Sequence, residues 1–529
     1  MKRIIAVLLV LAMVFALAAC GTPANNNNAA PGNNNNAQPV AEKKVLRVST
    51  KADITSLCNL LATVNSADTP GQQLMQDRLF EYDQKTGQYA PMLCKEAKMI
   101  DSTHYELTLR DDVYSWNGDK LVASDVLYSF KVAQDAGVNG RYYGNFDIEN
   151  FKVVDDTHII IALKSVDTFI LTTLANIPYG IVVEKSVQGK LEDSQFDLSK
   201  VTYYTGPYKP VKWETGVSIT FEKNEKYWGG TPAFDEIVLI ATKDPTGRAS
   251  ALESKTVDLV LEPPTTMIET IESEGFQVIA VPTTNSHTLF TNTNKAPFDD
   301  VNARRALALA LNREAIVKIA LNGRGQVSDS ILPIGNPRYE KQAETYFRYD
   351  LAAAKELWAK SKYAGQEVTV ELVYGSEHEQ VATQIQQMWK ELGVTVKLRG
   401  STTLRDEIRV DDPAKQIDCW IINNANPSPA DHLKFYDGQH FTASQLSGGP
   451  NWDGGENKER IGQLFEAIRS EVDEAKLKEY YSELQKLITL DAPSIPLYVP
   501  DKLAFAVKNL DGIILTEYGD INFSKSFFK

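Results

Sequence analysis

The sequence predicts an α/β fold with mixed sheets, on three observations. Segments whose apolar residues alternate with a period of two intermix with amphipathic helical segments along the whole chain. Hydrophobic residues make up 43% and charged residues 23% of the 529 positions, which is ordinary globular material with ample core. No internal repeat with a period of about 20–50 residues is visible. This intermixed order argues against a β-sandwich or a helical bundle.

Each element follows from its local pattern. Alternating segments predict strands at 45–50, 104–110, 158–163, 217–222, 236–241, 368–373, 394–398 and 494–499. Apolar residues at helical spacing predict helices at 74–80, 124–132, 299–310, 315–321, 351–358 and 381–392, with two more in 459–487. Ser124 is the predicted cap of the second helix, and the Asn117-Gly118 dipeptide predicts a turn beside Trp116, a packing residue.

The charge balance restricts the partners. Lys and Arg together number 55 against 69 Asp and Glu, which gives a net charge of -14. Binding to phosphate backbones needs a basic surface, so nucleic acid is not expected as a partner. No apolar run long enough to span a membrane occurs beyond the N-terminus.

The N-terminus has the pattern of a secretory signal. Lys2 and Arg3 precede an apolar run that ends Leu-Ala-Ala directly before Cys20. That arrangement is similar to the bacterial lipobox, in which the cysteine is lipidated after residues 1–19 are removed. The Asn-rich stretch that follows cannot bury enough surface to fold, so residues 20–42 are predicted to be a tether between membrane and body. A plain signal peptide with an incidental cysteine is the alternative.

The remaining cysteines are Cys58, Cys94 and Cys419. So few cysteines exclude a disulfide-dense scaffold. Cys58 and Cys94 could pair in an oxidising compartment, or all three could be buried free thiols. No Cys-x-x-Cys motif occurs, so structural zinc and thioredoxin chemistry have no support.

Motifs spread over the mature chain resemble one known family. They are LRDDV at 109–113, ASDV at 123–126, TGPY at 205–208, NEKYWGG at 224–230, NTNKAPFDD at 292–300, RRAL at 304–307, NRE at 312–314, YD at 349–350 and LGV at 392–394. In order and spacing they resemble the bacterial extracellular solute-binding proteins of family 5, which serve oligopeptide, dipeptide and nickel ABC importers. One departure is Tyr204, where the family usually has glycine; its side chain either lines the cleft or packs.

The resemblance implies a periplasmic-binding-protein-like type II fold of cluster C, with two lobes, a hinge and an extra domain. Mapped onto this chain, lobe I comprises 43–77, 207–287 and 498–529. The extra domain comprises 78–206, and lobe III comprises 288–497. Crossovers near 288 and 498 are expected to form the hinge that closes over the ligand.

The resemblance also implies the ligand contacts. In peptide binders of the family an aspartate pairs with the ligand's α-amino group, and that position falls on Asn423, an amide without a countercharge. Asp431 could replace the charge if its loop folds back. The implied contacts in this segment are Asn423, Asn424, Asn426 and Asp431, while turn formation is the alternative for the asparagines.

Aromatic residues complete the predicted site. Tyr374 follows a strand where some relatives place an aromatic ligand contact, and Trp420 lies on the strand before Asn423; core packing is the alternative for each. Tyr142 and Tyr143 lie between glycines in a loop of the extra domain that is expected to face the cleft.

Catalytic motifs are missing, so no enzyme activity is expected. The chain has no Gly-x-Ser-x-Gly elbow and no phosphate-binding loop. His378-Glu379 begins like a zinc protease motif, but Ala382 stands where the second histidine is needed. No metal and no cofactor are therefore expected.

The sequence thus predicts an extracytoplasmic lipoprotein, monomeric, that captures a di- or oligopeptide and delivers it to an ABC permease and its ATPase. Nickel or a metallophore is one alternative, since His440 falls near a metal-contacting histidine of nickel binders. The arginine that those binders use falls on Ile177 or Gly180, which cannot hold a carboxylate. Another non-peptide solute, or a ligand-binding sensor without transport, remains open.

Overall fold

The structure is a computed structural model, and it describes the following residues: 43–62, 67–83, 88–137, 143–167, 170–175, 180–334, 336, 338–342, 345–409, 412, 415–424, 433, 436, 449–515 and 521–529. The predicted signal segment, Cys20 and the tether lie outside these residues. No helix in the described ranges has both the length and the apolar character needed to cross a membrane.

Strands and helices intermix along the chain as the sequence predicts. The strands of the amino-terminal half are β1 Val45–Thr50, β2 Phe80–Asp83, β3 Gln88–Pro91, β4 Cys94–Met99, β5 His104–Leu109, β6 Lys152–Val153, β7 His158–Ala162, β8 Tyr208–Glu214, β9 Ser218–Lys223, β10 Glu236–Ala241 and β11 Leu259–Leu261. Those of the carboxyl-terminal half are β12 Gln277–Pro282, β13 Ser286–Thr291, β14 Gly325–Val327, β15 Val368–Tyr374, β16 Val394–Gly400, β17 Cys419–Asn424, β18 Ser494–Ala506, β19 Leu510–Asp511, β20 Ile514–Leu515, β21 Ile521–Asn522 and β22 Phe527–Phe528.

The α-helices lie between these strands. They are α1 Thr69–Met75, α2 Ala123–Ala136, α3 Ile170–Leu174, α4 Pro245–Glu253, α5 Ile268–Ser273, α6 Val301–Leu309, α7 Arg313–Ala320, α8 Leu351–Lys360, α9 Glu379–Lys390, α10 Leu404–Glu407, α11 Lys458–Ser470 and α12 Glu474–Asp491. Side chains begin several of them: Asp300, Asn312 and Asp350 each accept a hydrogen bond from the backbone N–H three residues later.

Two predicted helix starts differ from the structure. The helix predicted at 74–80 lies earlier, because Pro70 fits the first turn of α1 while the backbone turns extended at Gln76. The second helix is not capped by Ser124. Instead the Asp125 carboxylate accepts a hydrogen bond from the backbone N–H of Val122 at 2.8 Å and closes that end.

One long strand joins two halves of the largest sheet. The order in the described residues is β16-β15-β17-β13-β18-β11-β1-β10-β9-β8, with β12 and β14 also paired to β18. The first part of β18 pairs with β13, and its last part pairs with β11 and β12. The change of partner falls near the crossover predicted at 498. The lobe boundaries themselves stay a prediction.

A second sheet, in the order β4-β5-β7-β6, lies within the region predicted as the extra domain. Phe130 of α2 packs edge-on against Phe146 and against Tyr143, with ring centroids 4.9 and 5.4 Å apart. Tyr143 is only 1% exposed. Its side chain therefore belongs to this core, which differs from the expectation of a loop residue facing a cleft.

A buried polar cluster fixes the junction between this region and the large sheet. The Asp77 carboxylate accepts hydrogen bonds from the Thr205 hydroxyl at 2.8 Å, the Tyr227 hydroxyl at 2.9 Å and the Trp228 indole N–H at 2.7 Å. Burial raises the pKa of Asp77, while these donors oppose the rise. The cluster holds the segment after Tyr204 against the end of α1.

Tyr204 packs rather than lining an open surface. It is fully buried, and its hydroxyl lies 2.7 Å from Asn59 Oδ1 and accepts from the Asn59 backbone N–H at 3.2 Å.

The cysteine alternatives are also resolved. Cys58, Cys94 and Cys419 are buried free thiols, so the Cys58–Cys94 pairing is wrong.

Candidate functional site

The candidate site lies where strand ends meet in the half of the sheet that contains β13. Strands β15 and β17 are parallel, with Tyr374 beside Ile421, and β13 runs antiparallel to β17. The start of β13 therefore lies at the carboxyl ends of β15 and β17. Ligands of open α/β sheets bind outside the carboxyl ends of strands, so this edge is where a ligand is expected.

Asn423 lies at this edge and is bonded to an arginine that the sequence reasoning missed. Arg405 Nη2 donates to the Asn423 side-chain oxygen at 3.0 Å and to its backbone carbonyl at 3.3 Å. Arg405 belongs to α10 and is exposed. The amide oxygen of Asn423 is thus already engaged, and the charge brought to this position is positive. Arg405 and Asn423 are 18 positions apart, and no sequence pattern indicated that they would be in contact.

Glu371 and Glu407 are both paired with Arg399 of β16. Arg399 pairs with Glu407 at 2.6 Å and with Glu371 at 3.2 Å, and the Ser401 hydroxyl also donates to Glu407. These contacts lower the pKa of Glu407, the Ser401 hydroxyl contributing most. They neutralise Arg399 and leave Arg405 as a cation with no ion-pair partner among the described residues.

Directly opposite Asn423 in the sheet lies His287, which is part of an aromatic cluster. The His287 Nδ1 atom is 2.7 Å from Nε2 of His378, the residue that precedes α9. The Tyr498 ring of β18 stacks on His287, with centroids 4.7 Å apart and planes 21° apart. Burial lowers the pKa of His287 to about 3, with the neighbouring imidazole adding to the effect, and burial also lowers the pKa of His378.

His287 and Tyr498 lie next to the crossovers predicted near 288 and 498, but no sequence pattern singled out either residue. In the sequence, His378 was notable only as the first residue of an incomplete zinc protease motif. The structure shows that it belongs to this aromatic cluster. In the described part of the chain, no group of three or more His, Cys, Asp or Glu side chains could hold a metal ion.

The predicted aromatic contacts are largely enclosed. Tyr374 is 8% exposed and belongs to the core on one face of the sheet. Trp420 is fully buried on the other face, stacked on Phe290 with centroids 5.8 Å apart and covered by Leu404 of α10. Packing, the alternative given for both, accounts for their surroundings, and their role in binding stays a prediction.

The remaining predicted contacts are placed only in part. The backbone of Asn424 ends β17, opposite Ser286. Asn426, Asp431 and Tyr142 lie outside the described residues, as do Ile177 and the histidines at 432 and 440. Gly180 is described, and a side chain there would collide with Gln76.

The chain is similar to known solute-binding proteins. The family model "Bacterial extracellular solute-binding proteins, family 5 Middle" matches residues 88–444. The chain is 25% identical to the oligopeptide-binding protein OppA of Bacillus subtilis over 81% of this chain and 83% of that protein. It is 24% identical to the dipeptide-binding protein DppE of the same organism over 97% of each.

A solved structure shows the same fold. The ABC transporter substrate-binding protein CtaP of Listeria monocytogenes superposes with a TM-score of 0.79 at 21% identity, covering 92% of this chain and all of that one. The fold is accordingly the two-lobed type II binding-protein fold that the sequence motifs implied. Since the family model spans well over half of the sequence, the chain belongs to the bacterial extracellular solute-binding proteins of family 5.

Proposed function

We propose that this protein is the substrate-binding component of an ABC importer and that it captures a peptide between lobe I and lobe III. The observation that carries the proposal is the position of Asn423, His287 and Tyr498 at one edge of the sheet, where β13 and β18 cross between the predicted lobes. The names of the relatives, which include oligopeptide and dipeptide binders, support a peptide as the ligand.

Closure of the lobes is the proposed mechanism. Ligand contacts made with both lobes at once stabilise the closed state, and the population shifts by the difference in affinity between the two states. With ligand present, small-angle scattering is expected to give a smaller radius of gyration. The free energy of unfolding is expected to rise by RT ln(1 + [L]/Kd).

The charges at the site suggest how the ligand is oriented. Asn423 is neutral and carries the Arg405 cation, so an α-amino group at this position would meet a positive charge instead of a countercharge. Burying an ammonium without a partner costs several kcal/mol. Either Asp431 supplies the missing charge, or the ligand presents a carboxylate or a neutral group here. A carboxylate would suit Arg405, whose planar fork binds two oxygens.

Mass spectrometry of the ligand that co-purifies with the protein tests the proposal. A peptide that returns intact after incubation supports peptide capture without chemistry, whereas product formation would refute it. A metal chelate or another solute would favour those alternatives. Genomic neighbours encoding a permease and an ATPase would favour transport over sensing.

Variants then separate the two charge arrangements with the identified peptide. If Asp431 binds the amino group, Asp431→Asn and N-acetylation of the peptide are each expected to weaken binding by about 2–5 kcal/mol. If Arg405 binds an anionic group, Arg405→Gln weakens binding while the exposed Arg409→Gln does not. If Asp431→Asn, N-acetylation and Arg405→Gln all leave the affinity unchanged, the ligand is held through neutral groups.

Anchoring through Cys20 is part of the proposal. A single acyl chain gives only marginal membrane binding, whereas the several chains implied by the lipobox hold a protein firmly. Cys20→Ala is expected to release the protein to the medium or to leave an unprocessed precursor. Normal processing and membrane retention of that variant would contradict the anchor without affecting the binding proposal.

A further inference from the structure

Four polar side chains form a continuous row beside the candidate site. Asn285 Nδ2 lies 3.5 Å from His287 Nε2, and His287 Nδ1 lies 2.7 Å from His378 Nε2. At the far end, His378 Nδ1 lies 3.6 Å from a carboxylate oxygen of Glu377. The two histidines are 91 positions apart in the sequence, so only the fold brings them together.

Chemistry gives this row one direction. The Asn285 amide donates to His287 Nε2, His287 Nδ1–H donates to His378 Nε2, and His378 Nδ1–H points to the Glu377 carboxylate. In the reverse direction a lone pair of His378 Nδ1 would face the Glu377 carboxylate, which favours the first arrangement. In that arrangement each ring is neutral and carries one N–H, and the N–H of His287 lies between the two rings.

A further proton would place a cation in a buried site, and the Asn285 amide would have to turn so that its oxygen accepts from His287 Nε2–H. His378 is 1% exposed, and its Nδ1 makes no hydrogen bond with a described residue. Burial accordingly lowers the pKa of both rings, that of His287 to about 3.

The charged and titratable groups around the pair do not offset the cost of a buried positive charge on either ring. Glu377, from the turn before α9, is the one carboxylate among the described residues that acts on His378. Tyr498 of β18 covers His287 with its ring, and β17 contributes the neutral Asn423, on which the Arg405 cation rests.

The pair also connects parts of the fold that are expected to move. His287 lies on β13 at the first crossover, Tyr498 lies on β18 at the return crossover, and His378 belongs to the turn that follows β15. We propose that His287 and His378 form a proton-dependent latch that holds the hinge strands to the Ser376–His378 turn at neutral pH and releases it in acid. The inference goes beyond peptide binding and does not depend on the ligand's identity.

The direction of the pH effect follows from linkage. Because the latched rings bind a proton more weakly than separated rings, the stabilisation is complete above pH 6.5 and is lost as the pH falls toward 3. For one ring with an ordinary pKa of about 6.5, the ratio of separated to latched chains rises about 30-fold between pH 7.5 and pH 5.0.

Hydrogen–deuterium exchange on the ligand-free protein tests the latch. After correction for intrinsic exchange, protection in peptides covering 284–290 and 374–382 is expected to fall at least about tenfold at pH 5.0, relative to the rest of the chain. His378→Gln, which cannot be charged, leaves only His287 to titrate and is expected to show a smaller pH dependence. His104→Gln and His158→Gln are matched controls, since each of these partly exposed histidines lies in an Asp-x-Thr-His turn away from the pair.

Two outcomes would overturn the latch. One is equal protection of the two segments at both pH values in the unaltered protein. The other is a His378→Gln variant that keeps the full pH dependence. Should that variant fold poorly, NMR titration of the imidazole Cε1–H signals decides: two rings that titrate below pH 5 support the latch, and titration of all rings between pH 6 and 7 refutes it.

Discussion

The Arg304–Asp491 ion pair is predicted to be a main support of the hinge strand β18, which begins three residues after Asp491. Arg304 Nη2 lies 2.9 Å from the Asp491 carboxylate, and the Trp452 indole donates to the same oxygen. Arg304 also donates to the Phe298 carbonyl at 2.9 Å. The two side chains are 8% and 12% exposed, so water compensates little when the pair is broken.

Asp491→Asn keeps the shape of the side chain but removes the countercharge of a buried guanidinium. Breaking a buried pair from one side costs about 3–5 kcal/mol, and the retained bond to the Phe298 carbonyl places the expected loss near the lower end. Urea unfolding followed by tryptophan fluorescence measures it. Glu483→Gln is the matched control on the same helix: its pair with Arg460 is 39% and 48% exposed and should cost at most about 1 kcal/mol.

Comparable losses for Asp491→Asn and Glu483→Gln would refute this reasoning, because burial would then make no difference. A second variant separates charge from packing. Replacing Arg304 and Asp491 together with apolar residues of similar volume is expected to destabilise less than Asp491→Asn alone, since no unpaired charge remains.

Three further changes test other parts of the fold. Tyr204→Phe removes the hydroxyl that bonds to the Asn59 side chain and backbone N–H, and it should cost about 1–3 kcal/mol in urea unfolding; an unchanged midpoint would contradict the structural role of that hydroxyl. Gly206→Ala would place a Cβ 2.3 Å from the Met75 carbonyl oxygen, so a clearly lower melting temperature is expected, and a normal one would show that the backbone gives way. The backbone N–H of Thr103, followed by the His104 imidazole, lowers the pKa of Asp101 to about 2, so its stabilisation is present above pH 4 and is lost as the pH falls toward 2; Asp101→Asn should flatten this acid limb of the stability curve, and an unchanged limb would argue against it.

Much of the fold was predictable because its signals are local. The strand predicted at 236–241 matches β10. The helix predicted at 351–358 is α8, which continues to Lys360. Where local signals compete, prediction failed. The helix placed at 74–80 overlaps only the end of α1, because a buried segment with two adjacent glutamines carries little hydrophobic periodicity and its start depends on Pro70.

The candidate site was less predictable than the fold. Asn423 was located through the family resemblance, and the structure leaves its role as a prediction. Arg405 was missed because nothing in the sequence indicates that a helix residue reaches a strand end 18 positions later. The structure also encloses Tyr143 and Trp420. For Trp420, the alternation of residues along β17 could not predict burial, because both faces of that strand are covered.

The sequence by itself determined the class of this protein: the order of strands and helices, the family motifs, the export pattern at the N-terminus and the acidic charge that disfavours nucleic acid. These are properties of composition and of neighbouring residues, so they can be read without a fold. The tertiary structure alone decided which polar groups share a buried space. His287, His378 and Tyr498 are far apart in the chain, and their contacts exist because β13 pairs with β18 while the turn after β15 lies against His287. Burial and contact between distant residues depend on how layers pack, and no local pattern encodes that.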